Sequence, residues 1–308
     1  MVDRELDEPG DGAVLVRTEW SGISGGTELL AYRGEIDPDL PLDETIGALG
    51  GTFAFPFRYG YSCVGEIERS HDERLPEGSE VFAFHPHQDR FVVRADDCVP
   101  LRGEDLRLAT LLPLVETAFQ ATLDTGAVFG RTVAVTGLGA VGILTGALLA
   151  RAGAHVIGSD PLPWRRDTAK AFGIDPVSPR ELAGVEVPLL VETSGRPEVL
   201  ADSLSLLGHE GVALVVSWYG TKPVPLPLGG AFHRRRLTIR STQVSSIPSA
   251  QQAAWTRRTR LERARELLAE LPLETLATHE FRFEEATEAY AALDRGDEGL
   301  IHAALGYR

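Results

Sequence analysis

The chain has 308 residues, 43% of them hydrophobic and 24% charged, which is typical of globular proteins and suits about two domains. The formal net charge of −15 argues against a general nucleic-acid binder, since a phosphate backbone requires a basic surface, and the two cysteines exclude a disulfide scaffold or a four-cysteine metal lobe. No apolar run reaches the ~18 residues of a membrane span, and the acidic start Met1–Glu5 is unlike a signal peptide, so we expect a cytoplasmic protein without membrane contact.

The first part of the chain, residues 1–115, consists of short β-like runs separated by glycine and proline. The clearest predicted strands are Val14–Arg17, Gly65–Glu68, Glu80–Phe84 and Arg90–Val93. These runs predict a β-rich domain.

The pattern changes near Leu108, where strands and helices begin to alternate, and this predicts βαβ units and a parallel sheet over residues 116–269. The predicted strands are Thr132–Thr136, Ala154–Gly158, Pro188–Glu192, Val212–Val216 and Leu237–Arg240. The predicted helices are Val141–Arg151, Arg165–Phe172, Pro197–Leu207 and Arg257–Ala269. The tail, residues 270–308, predicts a helix at Phe283–Leu293 and a final strand at Leu300–Leu305, and its β/α pattern suggests a return to the first domain.

A glycine-rich turn follows the first strand of the α/β region. Strand Thr132–Thr136 runs into Gly137-Leu138-Gly139-Ala140-Val141-Gly142 and then into a predicted helix, which is the context in which G-x-G-x-x-G binds dinucleotides. Gly137 permits the tight turn, Gly139 lets a pyrophosphate approach the backbone, and Gly142 lets the helix pack on the strand. The free N–H groups of the helix start, at Ala140 and Val141, would face the phosphates.

Asp160 bears on the identity of the dinucleotide. It ends the next predicted strand, 18 residues after Gly142, where a carboxylate binds the adenosine ribose hydroxyls. A carboxylate there repels a 2′-phosphate, so NAD is favoured over NADP. Arg165 and Arg166 lie close in sequence and leave NADP open as the alternative.

Together these residues resemble the medium-chain dehydrogenase/reductase superfamily, the zinc alcohol dehydrogenase-like proteins. The resemblance covers nearly the whole chain and implies an α/β protein with a GroES-like β-rich catalytic domain (1–115 and 270–308) and a doubly wound Rossmann domain (116–269). Thr117-Ala118 and Val191–Gly195 are similar to the family's domain-junction and strand-end motifs. The resemblance implies that Thr117 and Ser194 lie near the nicotinamide and its ribose.

Three further segments, Ser21–Glu28, Tyr59–Tyr61 and His85–Gln88, resemble a branch named threonine dehydrogenase-like or bacteriochlorophyllide dehydrogenase-like. This likeness implies no particular substrate. Where zinc members of the superfamily have a cysteine, a histidine, and a cysteine or glutamate, this chain has Ser24, Tyr61 and Pro113. Hydroxyls are poor zinc ligands and proline has no side-chain donor, so we expect no catalytic zinc. The four-cysteine lobe is missing as well, so we expect no structural zinc.

Without zinc, hydride transfer to or from a carbonyl needs a hydrogen-bond donor that polarises the oxygen and relays its proton. Tyr61 stands at the position of the histidine ligand and Ser24 at that of the cysteine ligand, and the resemblance implies that Thr27 lies near the family's proton-relay hydroxyl, with Glu28 next to it. Two purely structural alternatives stay open. In the first, Tyr61 only fills the space that zinc occupies in other members. In the second, Glu28 is a buried ion-pair partner of Arg33 or Arg58.

His85 and His87 flank Pro86, and in an extended strand an H-x-H pair places both side chains on one face. Such a pair binds metal only with a third ligand, for which Glu28, Glu116 or His233 are candidates. We favour histidines that line the cleft, with His87 in a proton relay. The aromatic run Phe53–Tyr59 is interpreted equally well as a wall of the substrate pocket or as core of the β-rich domain.

These features predict a zinc-independent NAD(P)-dependent oxidoreductase that moves hydride between nicotinamide and a carbonyl or alcohol of a small molecule held in the interdomain cleft. An enoyl or quinone reductase is an alternative, since an alkene needs less metal assistance. A second alternative is a non-catalytic dinucleotide-binding module or redox sensor, because a protein that has lost its catalytic activity would also lose the zinc ligands. The strand Leu237–Arg240 would lie at the edge of the sheet, so we expect a homodimer through this edge.

Overall fold

The computed structural model describes residues 5–307, and the chain divides into two compact units. One unit contains the chain up to Pro113 together with the segment from Arg265 onward, and the other is Leu114–Ala264.

The elements are listed here in chain order. The strands are β1 (Ala13–Ile23), β2 (Cys63–Ser70), β3 (Glu80–Ala83), β4 (Arg90–Arg94), β5 (Cys98–Pro100), β6 (Thr132–Thr136), β7 (His155–Ser159), β8 (Asp175–Val177), β9 (Val187–Glu192), β10 (Leu207–Val215), β11 (Thr238–Ser241), β12 (His279–Arg282) and β13 (Ala303–Gly306). The α-helices are α1 (Thr27–Arg33), α2 (Leu106–Ala109), α3 (Leu112–Thr125), α4 (Ala140–Arg151), α5 (Pro163–Lys170), α6 (Pro179–Leu182), α7 (Pro197–Ser203), α8 (Arg257–Glu270) and α9 (Ala286–Arg295).

A sheet forms the centre of the first unit, in the order β12-β13-β1-β2-β3-β5, and β4 also pairs with β1. Strand β1 pairs antiparallel with β2, β4 and β13, so it connects the N-terminal strands to the tail. On one side of this sheet Val14 and Val16 pack with Ile67, Val81 and Phe91 in a buried cluster. The four strands predicted in this part are confirmed, although β1 runs on to Ile23 because its second half pairs with β13.

The tail differs from its prediction in two details. The last strand begins at Ala303 rather than Leu300, because its pairing with β12 begins at His279 opposite Ala303. The segment Phe283–Glu285 is a 3-10 turn, and the α-helix proper begins at Ala286 and continues to Arg295. The sequence pattern does not predict α1 or β12, both of which are short elements.

The second unit is built on a parallel sheet in the order β11-β10-β9-β6-β7-β8. The predicted parallel sheet is confirmed, and β11 lies at its edge. Helix α7 ends at Ser203 rather than Leu207, because Leu207 already pairs with Val187 as the start of β10. Helix α5 begins at Pro163 rather than Arg165, since proline suits the first position of a helix.

None of the helices within residues 5–307 is long and apolar enough to cross a membrane.

Two buried histidines of the first unit lie in surroundings that favour the neutral form of the ring. The His85 ring stacks on Phe91 with 4.0 Å between ring centroids, and His302 Nε2 lies 3.1 Å from Thr110 Oγ1. Burial lowers the pKa of His85 to about 4, and burial likewise lowers the pKa of His302 to about 4. In the unfolded chain a histidine has a pKa of about 6.5. Between these values the unfolded chain binds more protons than the folded protein.

We therefore expect the free energy of unfolding to fall as the pH is lowered from about 6.5 to about 4, by about 1.4 kcal/mol per pH unit for each of the two histidines. The variant His85→Phe keeps a stacked ring but cannot take up the proton. Its urea unfolding curves, measured across this range, should give a shallower pH dependence than those of the natural protein. A matched change at the exposed His209, His209→Gln, serves as the control, and equal slopes for the His85 variant and the natural protein would contradict the assignment.

Candidate functional site

The glycine turn at 137–142 connects β6 to α4, and close backbone contacts require two of its glycines. Gly137 has a φ of 91°, and a Cβ at this position would lie 2.6 Å from the Cα of Ser194. A Cβ on Gly142 would lie 1.9 Å from the carbonyl oxygen of Gly137. The turn therefore closes tightly onto both the helix and the loop after β9.

Gly139 has a different environment. Its φ is −78°, and a Cβ there meets no atom within 4 Å, so no protein contact requires glycine. Helix α4 begins at the next residue, and Ala140 and Val141 lie in its first turn, where N–H groups have no partner inside the helix. Open space before the positive end of a helix suits a phosphate group. The turn therefore fits the pyrophosphate of a dinucleotide.

Asp160 follows β7 and is only 3% exposed. Its Oδ2 accepts the N–H of Leu138 and its Oδ1 accepts the N–H of Leu162, both at 2.9 Å. Arg165 lies 3.7 Å from Oδ2, and its guanidinium lies 5.0 Å above the centre of the Trp164 ring. The carboxylate thus ties the glycine turn to the next loop, a structural role that the sequence does not predict. Each oxygen retains acceptor capacity for a further donor such as a ribose hydroxyl.

A second buried carboxylate, Glu192, ends β9 and was not among the sequence candidates. Its Oε1 accepts the backbone N–H of Ser194 at 2.6 Å and also the Ser194 hydroxyl, and its Oε2 accepts the Tyr219 hydroxyl at 2.5 Å. Glu192 therefore fixes the loop that packs against Gly137. The carboxyl ends of the parallel strands gather these residues with Asp160 at the sheet edge where open α/β sheets bind ligands.

Thr117 lies half-buried on α3 in the same unit. Its neighbour Glu116 is bound to Arg260, whose guanidinium donates to Glu116 Oε1 from Nη2 at 2.7 Å and from Nε at 3.1 Å. Arg260 is 1% exposed and also donates to the carbonyl oxygen of Val244 at 2.7 Å. Glu116 is thus an ion-pair partner of Arg260, which does not suit it to the role of third metal ligand.

In the first unit, Glu28 is the charge at the centre of a polar network, and it is 1% exposed. Its Oε1 accepts the backbone N–H of Ser24 at 2.8 Å. Its Oε2 lies 2.9 Å from Nε2 of His87 and accepts the hydroxyl of Tyr290. Donors from three separate segments satisfy the carboxylate, which offsets the cost of burying it.

Glu28 is not the ion-pair partner of Arg33. Arg33 pairs instead with Asp294 at 2.5 Å. Arg58 donates to the side-chain oxygen of Gln88 at 3.0 Å. The hydrogen bonds of Glu28 come instead from the backbone, a histidine and a tyrosine.

The network continues beyond His87 through residues that the sequence does not predict as site residues. Nδ1 of His87 lies 2.8 Å from Oγ of Ser21, which lies 2.9 Å from the hydroxyl of Tyr307. Ser21 is on β1, and Tyr307 directly follows β13, one position before the last residue of the sequence. No local motif marks these residues or Tyr290, because only the pairing of β1 with the tail brings them to His87.

Tyr61 lies next to this network, and its hydroxyl makes side-chain hydrogen bonds with Ser24 and Thr27. Burial, reinforced by the negative charge of Glu28, raises the pKa of Tyr61 to about 12, although the two hydrogen bonds act in the opposite direction. The phenol therefore keeps its proton throughout the neutral range. The structure thus brings together the five residues predicted as catalytic, with His87 joined through Glu28.

The aromatic run before Tyr61 divides into a buried and an exposed end. Phe53 is 4% exposed and packs in the core with Leu30 and Leu49. Phe55 is 72% exposed, and ring contacts lead from it inward through residues 57 and 59 to Tyr61, with centroid distances of 4.7, 6.3 and 6.0 Å. Core packing therefore explains Phe53. Phe55 instead begins a solvent-facing row of aromatic rings that ends at Tyr61.

The expected common face of His85 and His87 is wrong, because the residues between β3 and β4 form a loop rather than a strand. The Nδ1 of His85 lies 3.0 Å from the carbonyl oxygen of Pro86, and its ring stacks on Phe91. His87 faces Glu28 and Ser21 instead. The two rings have different partners and do not form a metal-binding pair.

The zinc that related proteins use does not fit the side chains present. Ser24 and Tyr61 offer neutral hydroxyls and Pro113 offers no side-chain donor, whereas zinc prefers thiolate, imidazole or carboxylate. Within residues 5–307, no three or more His, Cys, Asp or Glu side chains form a group that could hold a metal ion.

Comparison with protein families gives a match between residues 140–259 and the zinc-binding dehydrogenase family. This range lies within the second unit and contains none of Ser24, Tyr61 and Pro113. The match therefore concerns the parallel-sheet unit rather than the positions of the zinc ligands.

Two curated relatives align over most of the chain. D-guloside 3-dehydrogenase of Escherichia coli K12 is 26% identical over 286 residues, which cover 83% of this chain and 81% of the relative. The 2-desacetyl-2-hydroxyethyl bacteriochlorophyllide A dehydrogenase of Cereibacter sphaeroides is 28% identical over 313 residues, covering 93% of this chain and 88% of the relative.

Two solved structures share the fold. A protein described as a short chain alcohol dehydrogenase from Escherichia coli CFT073, crystallised with NADH, has a TM-score of 0.77 at 17% identity, over 99% of this chain and 95% of that one. A putative zinc-binding dehydrogenase from Sinorhizobium meliloti 1021, bound to NADP, has a TM-score of 0.77 at 17% identity, over 98% and 94%.

These likenesses confirm the predicted α/β class, and they agree with the glycine turn and with the resemblance of the first unit. Together, the family match over residues 140–259 and the relatives that align over most of the chain support the resemblance to the medium-chain dehydrogenase/reductase superfamily.

Proposed function

We propose that the chain is an NAD(P)-dependent oxidoreductase that transfers hydride between nicotinamide and a carbonyl or alcohol of a small molecule, without a catalytic zinc. The observation that carries the proposal is the turn at 137–142, in which Gly139 leaves open the space before α4 while its neighbours are fixed by contacts. The names of the two curated relatives, both dehydrogenases, support the same activity.

The bound dinucleotide would supply the hydride acceptor or donor. Gly139, Ala140 and Val141 would bind its pyrophosphate, and Asp160 would bind its adenosine ribose. Thr117 and Ser194 are proposed to lie near the nicotinamide end, as the superfamily resemblance implies. Ser194 is held in place for this role by Glu192.

We propose NAD rather than NADP as the preferred cofactor. The reason is the carboxylate of Asp160, which is held at the end of β7 by two backbone donors and would repel a 2′-phosphate. Arg165 is the opposing feature, because its guanidinium lies within 3.7 Å of Asp160 and partly offsets that charge.

The proton chemistry would fall to the first unit. Reduction of a carbonyl leaves an alkoxide, which is a stronger base than a tyrosinate, so Tyr61 can hydrogen-bond to the oxygen and then give up its proton. Ser24 and Thr27 orient the Tyr61 hydroxyl. Glu28 and His87 supply a second acid–base pair beside it.

We also propose that the protein is a cytoplasmic homodimer. The support for the dimer is the edge position of β11, because an exposed sheet edge with unpaired backbone groups readily pairs with a second copy. The support for the cytoplasm is the composition given above.

The cofactor site is tested by Gly139→Val. A valine fits the backbone conformation of this position without meeting a protein atom, so the fold should be retained while the side chain blocks the pyrophosphate. We expect a fluorescence titration to show no saturable NADH binding and the melting temperature to stay the same. The control is Gly184→Val at another glycine of the same unit with open space around it. Unchanged NADH affinity in the Gly139 variant would refute the placement.

The acid–base role is tested by Tyr61→Phe, which removes only the hydroxyl. NADH oxidation is followed with a panel of aldehydes, ketones, enones and quinones, and we expect kcat for the active carbonyl substrates to fall by at least about 100-fold. NADH affinity should not change. The control is Tyr59→Phe, one ring contact away in the same segment.

The same panel separates the alternatives. Turnover of enones or quinones but not of simple carbonyls would favour the enoyl or quinone reductase. NADH binding without turnover of any compound would favour a non-catalytic module and contradict the proposed enzyme.

A further inference from the structure

An unbroken chain of hydrogen bonds connects the buried Glu28 with Tyr307. It runs from Glu28 Oε2 to Nε2 of His87 at 2.9 Å, from Nδ1 of His87 to Oγ of Ser21 at 2.8 Å, and from Ser21 to the Tyr307 hydroxyl at 2.9 Å. Every link is at ordinary hydrogen-bond distance.

The chemistry of the members gives each link a direction. When Glu28 is ionised, it only accepts, so Nε2 of His87 must carry the hydrogen. Nδ1 is then an acceptor for the Ser21 hydroxyl, and the Ser21 oxygen accepts the hydroxyl of Tyr307. Imidazole and hydroxyl groups both donate and accept, which is what proton transfer along a chain requires.

The two ends of the chain lie in different environments. Glu28 is 1% exposed and Ser21 is 0% exposed, whereas Tyr307 is half-buried. At the inner end, Glu28 accepts the backbone N–H of Ser24 and lies close enough to Tyr61 for its negative charge to act on the Tyr61 hydroxyl. The chain therefore connects the candidate acid–base site with a residue nearer to solvent.

We propose that Tyr307, Ser21 and His87 form a proton relay that loads and unloads Glu28 during turnover, an inference that rests on the proposed function. In the loading direction, water gives a proton to the Tyr307 oxygen while Tyr307 gives its own to Ser21. Ser21 gives its proton to Nδ1 of His87, and Nε2 gives its proton to Glu28 Oε2. One proton enters from the solvent at Tyr307 and Glu28 gains one proton, so the number of protons on the other members of the relay does not change. Unloading is the reverse.

The relay sets one condition on His87 that can be measured directly. The resting relay requires the tautomer with hydrogen on Nε2, so that Nδ1 is free to receive a proton. This is measured without any turnover, by long-range 1H–15N NMR of histidine-labelled protein at pH 8, with the His87 signals identified from their absence in His87→Gln.

The second readout is kinetic. Tyr307→Phe keeps the ring stacked on Phe283 but removes the outer hydroxyl, and Ser21→Ala interrupts the chain in the middle. Both should lower kcat for the carbonyl substrate turned over fastest with NADH by about tenfold, less than the ~100-fold typical of a group that meets the substrate. Both should also change the solvent deuterium isotope effect on kcat. NADH affinity should remain that of the natural protein.

Two controls match these variants. Tyr32→Phe removes the hydroxyl of a ring that stacks on Tyr290 outside the chain, and Ser62→Ala removes another buried serine hydroxyl, which donates to Thr110. Both should keep the natural kcat and isotope effect.

An Nδ1–H tautomer in the natural protein would overturn the relay, as would natural kcat and isotope effect in both Tyr307→Phe and Ser21→Ala. Absence of turnover with every compound would instead refute the proposed function, and the tautomer would still decide whether the relay is poised as described.

Discussion

The arrangement of the first unit depends on the burial of one carboxylate, that of Glu28. Removing a partner from a buried charge typically costs about 3–5 kcal/mol, so the donors around Glu28 must all be in place when the protein folds. They come from the turn after β1, from the loop between β3 and β4, and from α9 in the tail. The return of the chain to its first unit after the parallel-sheet unit therefore completes the network around Glu28. Without α9 and β13, Glu28 would lack Tyr290, and His87 would lose the chain that leads to Tyr307.

In the second unit, buried carboxylates likewise organise the loops at the carboxyl ends of the parallel strands. Asp160 and Glu192 each accept backbone N–H groups from the loops around them, and these bonds shape the surface on which a dinucleotide would lie. Gly137 and Gly142 are required by contacts inside the protein, whereas Gly139 is not. Gly137 and Gly142 are therefore needed to build the turn. At Gly139, only a bound ligand would make a side chain unfavourable.

Much of the fold could be predicted from the sequence because its signals are local. Runs of β-branched residues mark the parallel strands, and the glycine spacing after β6 marks the turn. Ser24, Thr27 and Tyr61 could be proposed because they stand at positions of known importance in the superfamily, Glu28 because it follows Thr27, and His87 because it belongs to the H-x-H pair. Ser21, Tyr290 and Tyr307 could not, since each is an ordinary residue in its own segment and acquires its partner only through strand and helix pairing over some 260 to 290 positions of sequence. The H-x-H pattern was misleading for a related reason, because alternation places two side chains on one face only when the backbone is extended, and here it forms a loop.

In the proposed enzyme, side-chain hydroxyls, a carboxylate and a histidine would perform the proton chemistry that zinc performs in related enzymes. The most direct measurement is NADH-dependent turnover by chelator-treated protein whose metal content is determined by mass spectrometry on the same sample. We expect far less than one zinc per chain and the same kcat before and after chelation. Stoichiometric zinc that survives dialysis, together with loss of turnover on its removal and recovery on its return, would show that the enzyme depends on zinc.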